Sequence, residues 1–159
     1  MGSGPYVRLA EFTSYLGESM IEPEIKYVIK QDEGKRNRVY LDSVGVPTVG
    51  YGHADPEMKV GDTYTDDQIN TFFEEDYRAA VADYDTFNFN LDPVRRAVIV
   101  MMLFNLGRSR FRTFRKMINC LYSGDYLMAG YEGLDSKWRT QVKGRAHRLM
   151  AAIITGKWV

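Results

Sequence analysis

Apolar positions along the chain change their period several times, and each change predicts an element. Residues 6–17 carry Val7, Leu9, Phe12, Tyr15 and Leu16 as an imperfect helical stripe that stops at Gly17. Ile25, Val28 and Ile29 then recur at helical spacing, with Pro23 suited to the first turn and Gly34 to the C-terminal cap, where positive φ is needed. The period drops to two over 39–41 and 46–49, around Asp42-Ser43-Val44-Gly45, which is the pattern of a β-hairpin. Gly50 and Gly52, flanking Tyr51, let the end of that hairpin lie close to the helix. After a loop-like stretch over 54–63, Thr65 and Gln68 form a capping-box sequence, and Ile69, Phe72, Phe73, Tyr77, Ala80, Val81 and Tyr84 share one helical face. Asp92 and Pro93 open the next helix and Gly107 closes it. Between them Val94 and the run 97–104 leave almost no polar face, so this helix is expected to be buried on all sides. Shorter helices are predicted over about 112–122, 125–134 and 137–141, and a last one over about 143–155 before Gly156.

These elements give an α+β fold: a small helix and β-hairpin lobe over about 34–65, and a larger all-helical lobe over about 85–159 with a central buried helix. Residues 1–21 read as an N-terminal extension or linker helix, and 22–159 as one catalytic domain. At 159 residues, with 45% hydrophobic and 26% charged, the chain is long enough to bury a core. The single cysteine, Cys120, excludes an internal disulfide and reads as a small core residue rather than a nucleophile. No apolar run approaches the roughly 18–20 residues of a membrane span, and the Met1-Gly-Ser-Gly-Pro start has neither the basic nor the apolar part of a signal peptide. That start favours a piece excised from a larger protein.

Net charge is zero, but its distribution is uneven. Residues 55–85 hold ten acids against Lys59 and Arg78, whereas residues 93–159 hold thirteen lysines and arginines against Asp125, Glu132 and Asp135. The basic half suits an anionic partner, either nucleic acid or a cell wall bearing carboxylates, or else a solvated surface. The acids of 55–85 read as first-turn and solvent-face charges; no His or Cys joins them, so no metal site is expected.

The chemistry begins with Asp32 and Glu33, which fall in the last turn before Gly34. A helix C-terminus carries partial negative charge and disfavours an ionised carboxylate, so stability alone would not choose acids there. A Glu whose position favours the protonated acid, followed by a hairpin carrying Asp42 and Thr48, is suited to glycoside hydrolysis, which needs one protonated carboxyl and a second group to handle water. Glu33, Asp42 and Thr48, in that order and followed by Gly50-Tyr51-Gly52-His53, resemble the catalytic motif of phage-type lysozymes, glycoside hydrolase family 24. The resemblance continues through Leu91-Asp-Pro-Val-Arg-Arg, Met102-Leu-Phe-Asn-Leu-Gly, Lys137-Trp138-Arg139, the segment 144–148 and the segment 155–158, covering about residues 22–159.

That resemblance implies a lysozyme-like fold and a muramidase acting on the β-1,4 bond between N-acetylmuramic acid and N-acetylglucosamine of bacterial peptidoglycan, without metal or cofactor. Glu33 would be the general acid, and Asp42 and Thr48 would hold the attacking water, with inversion and carboxyls about 6.5–9.5 Å apart. Arg145 matches the arginine that approaches the acid, and a cation there opposes the helix end by favouring the ionised carboxylate. His53 is expected to support the site as a hydrogen-bonded structural imidazole, and Phe104 and Asn105 to line the substrate cleft, although Phe104 also suits pure core. Trp138 reads as packing. The stretch between Thr48 and Leu91 looks shortened relative to the family.

A monomer is expected, without nucleic acid or stable membrane insertion. It would be held in the host cytoplasm until release to the periplasm as an endolysin, or carried in the virion. Two readings compete. A lytic transglycosylase cleaves the same bond but forms a 1,6-anhydro end with one carboxyl, and a non-catalytic wall-binding module would not need Glu33, Asp42 and Thr48.

Overall fold

The computed structural model describes residues 21–158. The predicted stripe over 6–17 lies outside the described residues. Among the described residues, seven helices and a three-stranded antiparallel sheet follow in chain order: α1 (Glu22–Glu33), β1 (Arg36–Leu41), β2 (Pro47–Gly50), β3 (His53–Ala54), α2 (Asp66–Thr86), α3 (Pro93–Phe111), α4 (Arg115–Ser123), α5 (Tyr126–Leu134), α6 (Lys137–Val142) and α7 (Gly144–Thr155). The fold is α+β, and the chain forms two compact units. One comprises residues 23–88 and 100–111; the other takes the remaining described residues.

In the sheet-bearing unit, α1 ends where Gly34 turns to φ +67° and its N–H donates to the Lys30 carbonyl, 3.0 Å away. Ile25 and Ile29 are buried, as the stripe requires. The hairpin pairs Tyr40 with Thr48 and Leu41 with Pro47. A third strand was not expected. Gly50 and Gly52, both at positive φ, fold the chain back so that Val49 pairs with His53 and Thr48 with Ala54. Gly50 is required for a second reason: a Cβ there would stand 2.9 Å from the Ile69 side chain. The stretch after β3 runs beside β1, with the Val39 N–H donating to the Asp62 carbonyl (2.8 Å) and the Tyr64 N–H to the Asn37 carbonyl (2.8 Å), so one backbone edge of β1 is covered.

Helix α2 opens on the predicted capping box, the Gln68 N–H donating to Thr65 Oγ1 and the Thr65 N–H to Gln68 Oε1. Its buried face, Ile69, Phe73, Tyr77, Ala80 and Tyr84, forms much of this unit's core. Phe73 meets the Tyr51 ring edge-on at 5.4 Å and the Phe104 ring at 5.4 Å. The acids of α2 are not simply solvent-facing. Glu74 pairs with Lys26 (2.7 Å), and Asp66 accepts from Lys35 (2.9 Å) and Asn37 (2.9 Å), tying α2 to α1 and to the start of β1.

Helix α3 is buried from Ala97 through Leu103, the continuous burial its composition demands. It contributes 93–99 to the helical unit and 100–111 to the sheet-bearing unit. Gly107 interrupts it at φ 76°, ψ 162°, but a further helical turn follows to Phe111, so the glycine breaks the helix without ending it. In the helical unit, α5 and α7 approach closely because Gly130 and Gly133 offer no side chain. A Cβ on Gly130 would collide with Ile154, and one on Gly133 with Met150. Arg95 holds the end of α7: its Nε donates to the Ile153 carbonyl at 2.7 Å and its Nη2 to the Ile154 carbonyl at 3.2 Å. Cation at helix C-terminus is the favourable sense. Trp138 is buried edge-on to Phe114, the packing role read from sequence. Cys120 is half-buried; burial and the charges of Asp125 and Glu132 push its thiol up, which is wrong for a nucleophile.

Candidate active site

Apart from Arg145, every predicted site residue falls in the sheet-bearing unit. Glu33 is the last residue of α1 and is half-buried. Its Oε1 accepts a hydrogen bond from Asn105 Nδ2 at 3.2 Å, a contact between residues 72 positions apart. Its Oε2 faces Gly52, where a Cβ would stand 3.9 Å away. Asn105 therefore sits on the predicted acid itself, beyond the cleft-lining role expected from sequence. Its neighbour Phe104 is half-buried against Phe73.

Asp42 and Thr48 are joined through one residue. Asp42 Oδ1 accepts the N–H groups of Val44 (2.9 Å) and Val46 (2.8 Å), an Asx-type turn that fixes the carboxylate on the hairpin loop. Thr48, 3% exposed, donates its hydroxyl proton to the Val46 carbonyl at 2.9 Å, and the Asp42 N–H donates to the same carbonyl at 3.0 Å. With the proton committed there, the lone pairs of Thr48 Oγ1 remain to accept. Val46 was not singled out in the sequence, since a backbone bridge leaves no residue-type signal.

His53 on β3 donates from Nδ1 to Asp76 Oδ2 at 2.9 Å, and its ring stacks on Phe72 at 4.4 Å and 2° between planes. Asp76 was read as a solvent-face acid; its partner is His53, and Phe72 and Asp76 reach the imidazole together because they are one helical turn apart on α2. The Asp76 hydrogen bond raises the His53 pKa above its usual 6.5 against the opposing effect of burial, and the charges of Asp76, Asp55 and Glu75 act in the same direction as the bond. Arg145 lies in the first turn of α7, in the helical unit, and is half-buried. Among the described residues no group of three or more His, Cys, Asp or Glu is placed to hold a metal, and no helix is long and apolar enough to cross a membrane.

The sequence model for phage lysozyme matches residues 30–152. The chain is 29% identical to the pre-baseplate central spike protein of Enterobacteria phage T4, over 81% of this chain but only 27% of that protein. It is 27% identical to a probable T4-type lysozyme of Dictyostelium discoideum, over 83% of this chain and 94% of that protein. An endolysin of Acyrthosiphon pisum secondary endosymbiont phage 1 is 32% identical over 74% of this chain and 80% of its own length.

Proposed function

Because this chain belongs to the phage lysozyme family, we propose that it hydrolyses bacterial peptidoglycan as a muramidase, cutting the β-1,4 bond between N-acetylmuramic acid and N-acetylglucosamine. The observation that carries the reading is the division of labour within one unit: a carboxyl at a helix end held by an amide, and a carboxylate and a hydroxyl locked together on a hairpin.

Glu33 gives its proton to the glycosidic oxygen as the bond to the anomeric carbon breaks. Asp42 and Thr48 Oγ1 accept hydrogen bonds from one water, whose oxygen attacks the anomeric carbon while its proton passes to Asp42. Attack from the face opposite the leaving group inverts the anomeric centre. His53, held by Asp76 and stacked on Phe72, supports the sheet that carries Thr48, and Phe104 lines the glycan path. The protein acts as a monomer without cofactor. It works either as an endolysin released from the host cytoplasm or, as its likeness to part of a spike protein suggests, as a lysozyme segment carried in the virion.

The test is clearing of outer-membrane-permeabilised Gram-negative cells by wild type beside Glu33→Gln, with mass spectrometry of the soluble muropeptides. Wild type should clear and leave hydrated reducing muramic ends, while Glu33→Gln should lose about 10²- to 10⁴-fold in rate, the usual contribution of a general acid. Products ending in 1,6-anhydro-muramic acid would make it a lytic transglycosylase. Equal release of fragments by both proteins would mean a wall-binding module.

A further inference from the structure

We propose that Pro47 is a positioning residue: by restricting the backbone of Val46, it fixes the Asp42 carboxylate and the Thr48 hydroxyl at one angle to each other. The inference deepens the muramidase reading and rests on it.

Both polar groups of Val46 are committed to this site. Its N–H donates to Asp42 Oδ1 at 2.8 Å, and its carbonyl accepts the Thr48 hydroxyl at 2.9 Å and the Asp42 N–H at 3.0 Å. In a regular hairpin closure the Val46 N–H would go to the Asp42 carbonyl, completing a pair of backbone bonds. Here that carbonyl takes the Gly45 N–H at 3.0 Å, and the Asp42 side chain stands in for it. The carboxylate is thereby built into the hairpin ladder. Its direction relative to Thr48 follows from φ and ψ of Val46, the two rotations between the N–H bonded to Asp42 and the carbonyl bonded to Thr48.

Pro47 acts on that same pair of angles. A proline ring clashes with the residue before it, closing the helical region and leaving extended backbone with ψ of about +120° to +160°. No other residue type at 47 imposes this on Val46. Proline is also at home here: it opens β2, opposite Leu41, and its carbonyl accepts the Asp55 N–H at 3.0 Å, which anchors it from the β3 side. On the other flank Gly45, at φ +83°, supplies the bend that the turn needs. Freedom given at 45 is stopped at 46 by the ring at 47.

The experiment compares wild type with Pro47→Val and Pro47→Ala. It measures kcat and KM on a soluble peptidoglycan glycan fragment, and hydrogen exchange of the Val46 amide by NMR. Valine keeps apolar bulk and strand preference but lifts the restriction on Val46; alanine removes the bulk as well. Both should lower kcat by about three- to thirtyfold with KM little changed, because the pair that handles water then samples more than one geometry. Exchange at Val46 should quicken by roughly two- to fivefold in each, as the freedom a proline removes returns to the loop. Val46→Gly loosens the same angles with Pro47 in place and should lower kcat too. Combined with Pro47→Val, it should lose less than the product of the two single effects.

A wild-type kcat in Pro47→Val would overturn the proposal; loss confined to Pro47→Ala would mean that the ring acts by packing. A change in KM alone would make Pro47 a substrate contact and overturn it equally. Where neither Pro47 variant folds, Val46→Gly carries the same test. Hydrogen exchange reads the loop without turnover: unaltered exchange in the variants would sink the positioning role, whereas absence of glycan cleavage by wild type would sink the muramidase reading instead.

Discussion

Val46 shows how much of this site is made at the scale of single backbone groups. Its N–H donates to Asp42 and its carbonyl accepts from the Thr48 hydroxyl, so these two side chains are oriented by one peptide and not by each other. Neither residue identity at 46 nor its hydropathy announces that. Asp76 is a similar case, an acid among ten in its stretch that is distinguished only by facing His53. Because that contact raises the His53 pKa, its stabilisation is fully present below about 6.5, the ordinary His value, and is lost as pH rises through the raised folded value. Asp76→Asn should therefore cost roughly 1–2 kcal/mol near pH 5.5, a range discounted for the partial exposure of the pair, and much less near pH 9. Urea unfolding at the two pH values measures it. An equal loss at both would mean that the charged form of His53 contributes nothing.

At the scale of elements, helix ends and glycines decide where chemistry can sit. Glu33 closes α1 because the helix stops at Gly34, and the β2–β3 turn, which needs glycine at 52, lies beside its Oε2. Period and caps made most helices legible in the sequence, since side chains at helical spacing and N-cap oxygens act locally. The two-residue strand β3 was not legible, because its pairing with β2 comes from backbone hydrogen bonds set up by the Gly50 and Gly52 turn. The restart of α3 after Gly107 was also missed; a glycine at positive φ permits a break, and burial of Phe111 against Phe87 in the tertiary structure accompanies the resumed turn. Between α5 and α7, Gly130→Val should cost roughly 2–3 kcal/mol by overpacking against Ile154, even after allowing for valine's better helix propensity. A stability equal to wild type by denaturant titration would show that α7 has room to shift.

For the whole molecule, charge is the property that acts at longest range. The excess of lysine and arginine after residue 93 should draw the protein to a wall whose stem peptides carry carboxylates. Clearing of permeabilised cells should then fall severalfold as salt rises from about 0.05 to 0.5 M, where screening shrinks to a few ångströms, while cleavage of a glycan oligomer without stem peptides changes little. Equal salt sensitivity on both substrates would place the effect in cleavage itself instead of in attraction to the stem peptides. By itself the sequence determined the α+β class, the helix that ends at the acid, the hairpin that follows and the family, because amphipathic period, capping and a motif confined to residues 33–53 are all local in the chain. Only the tertiary structure decided that Asn105 donates to Glu33, that Asp76 holds His53 and that Gly52 lies beside Glu33 Oε2. Those are contacts between residues that the chain keeps apart, and they leave no period to read.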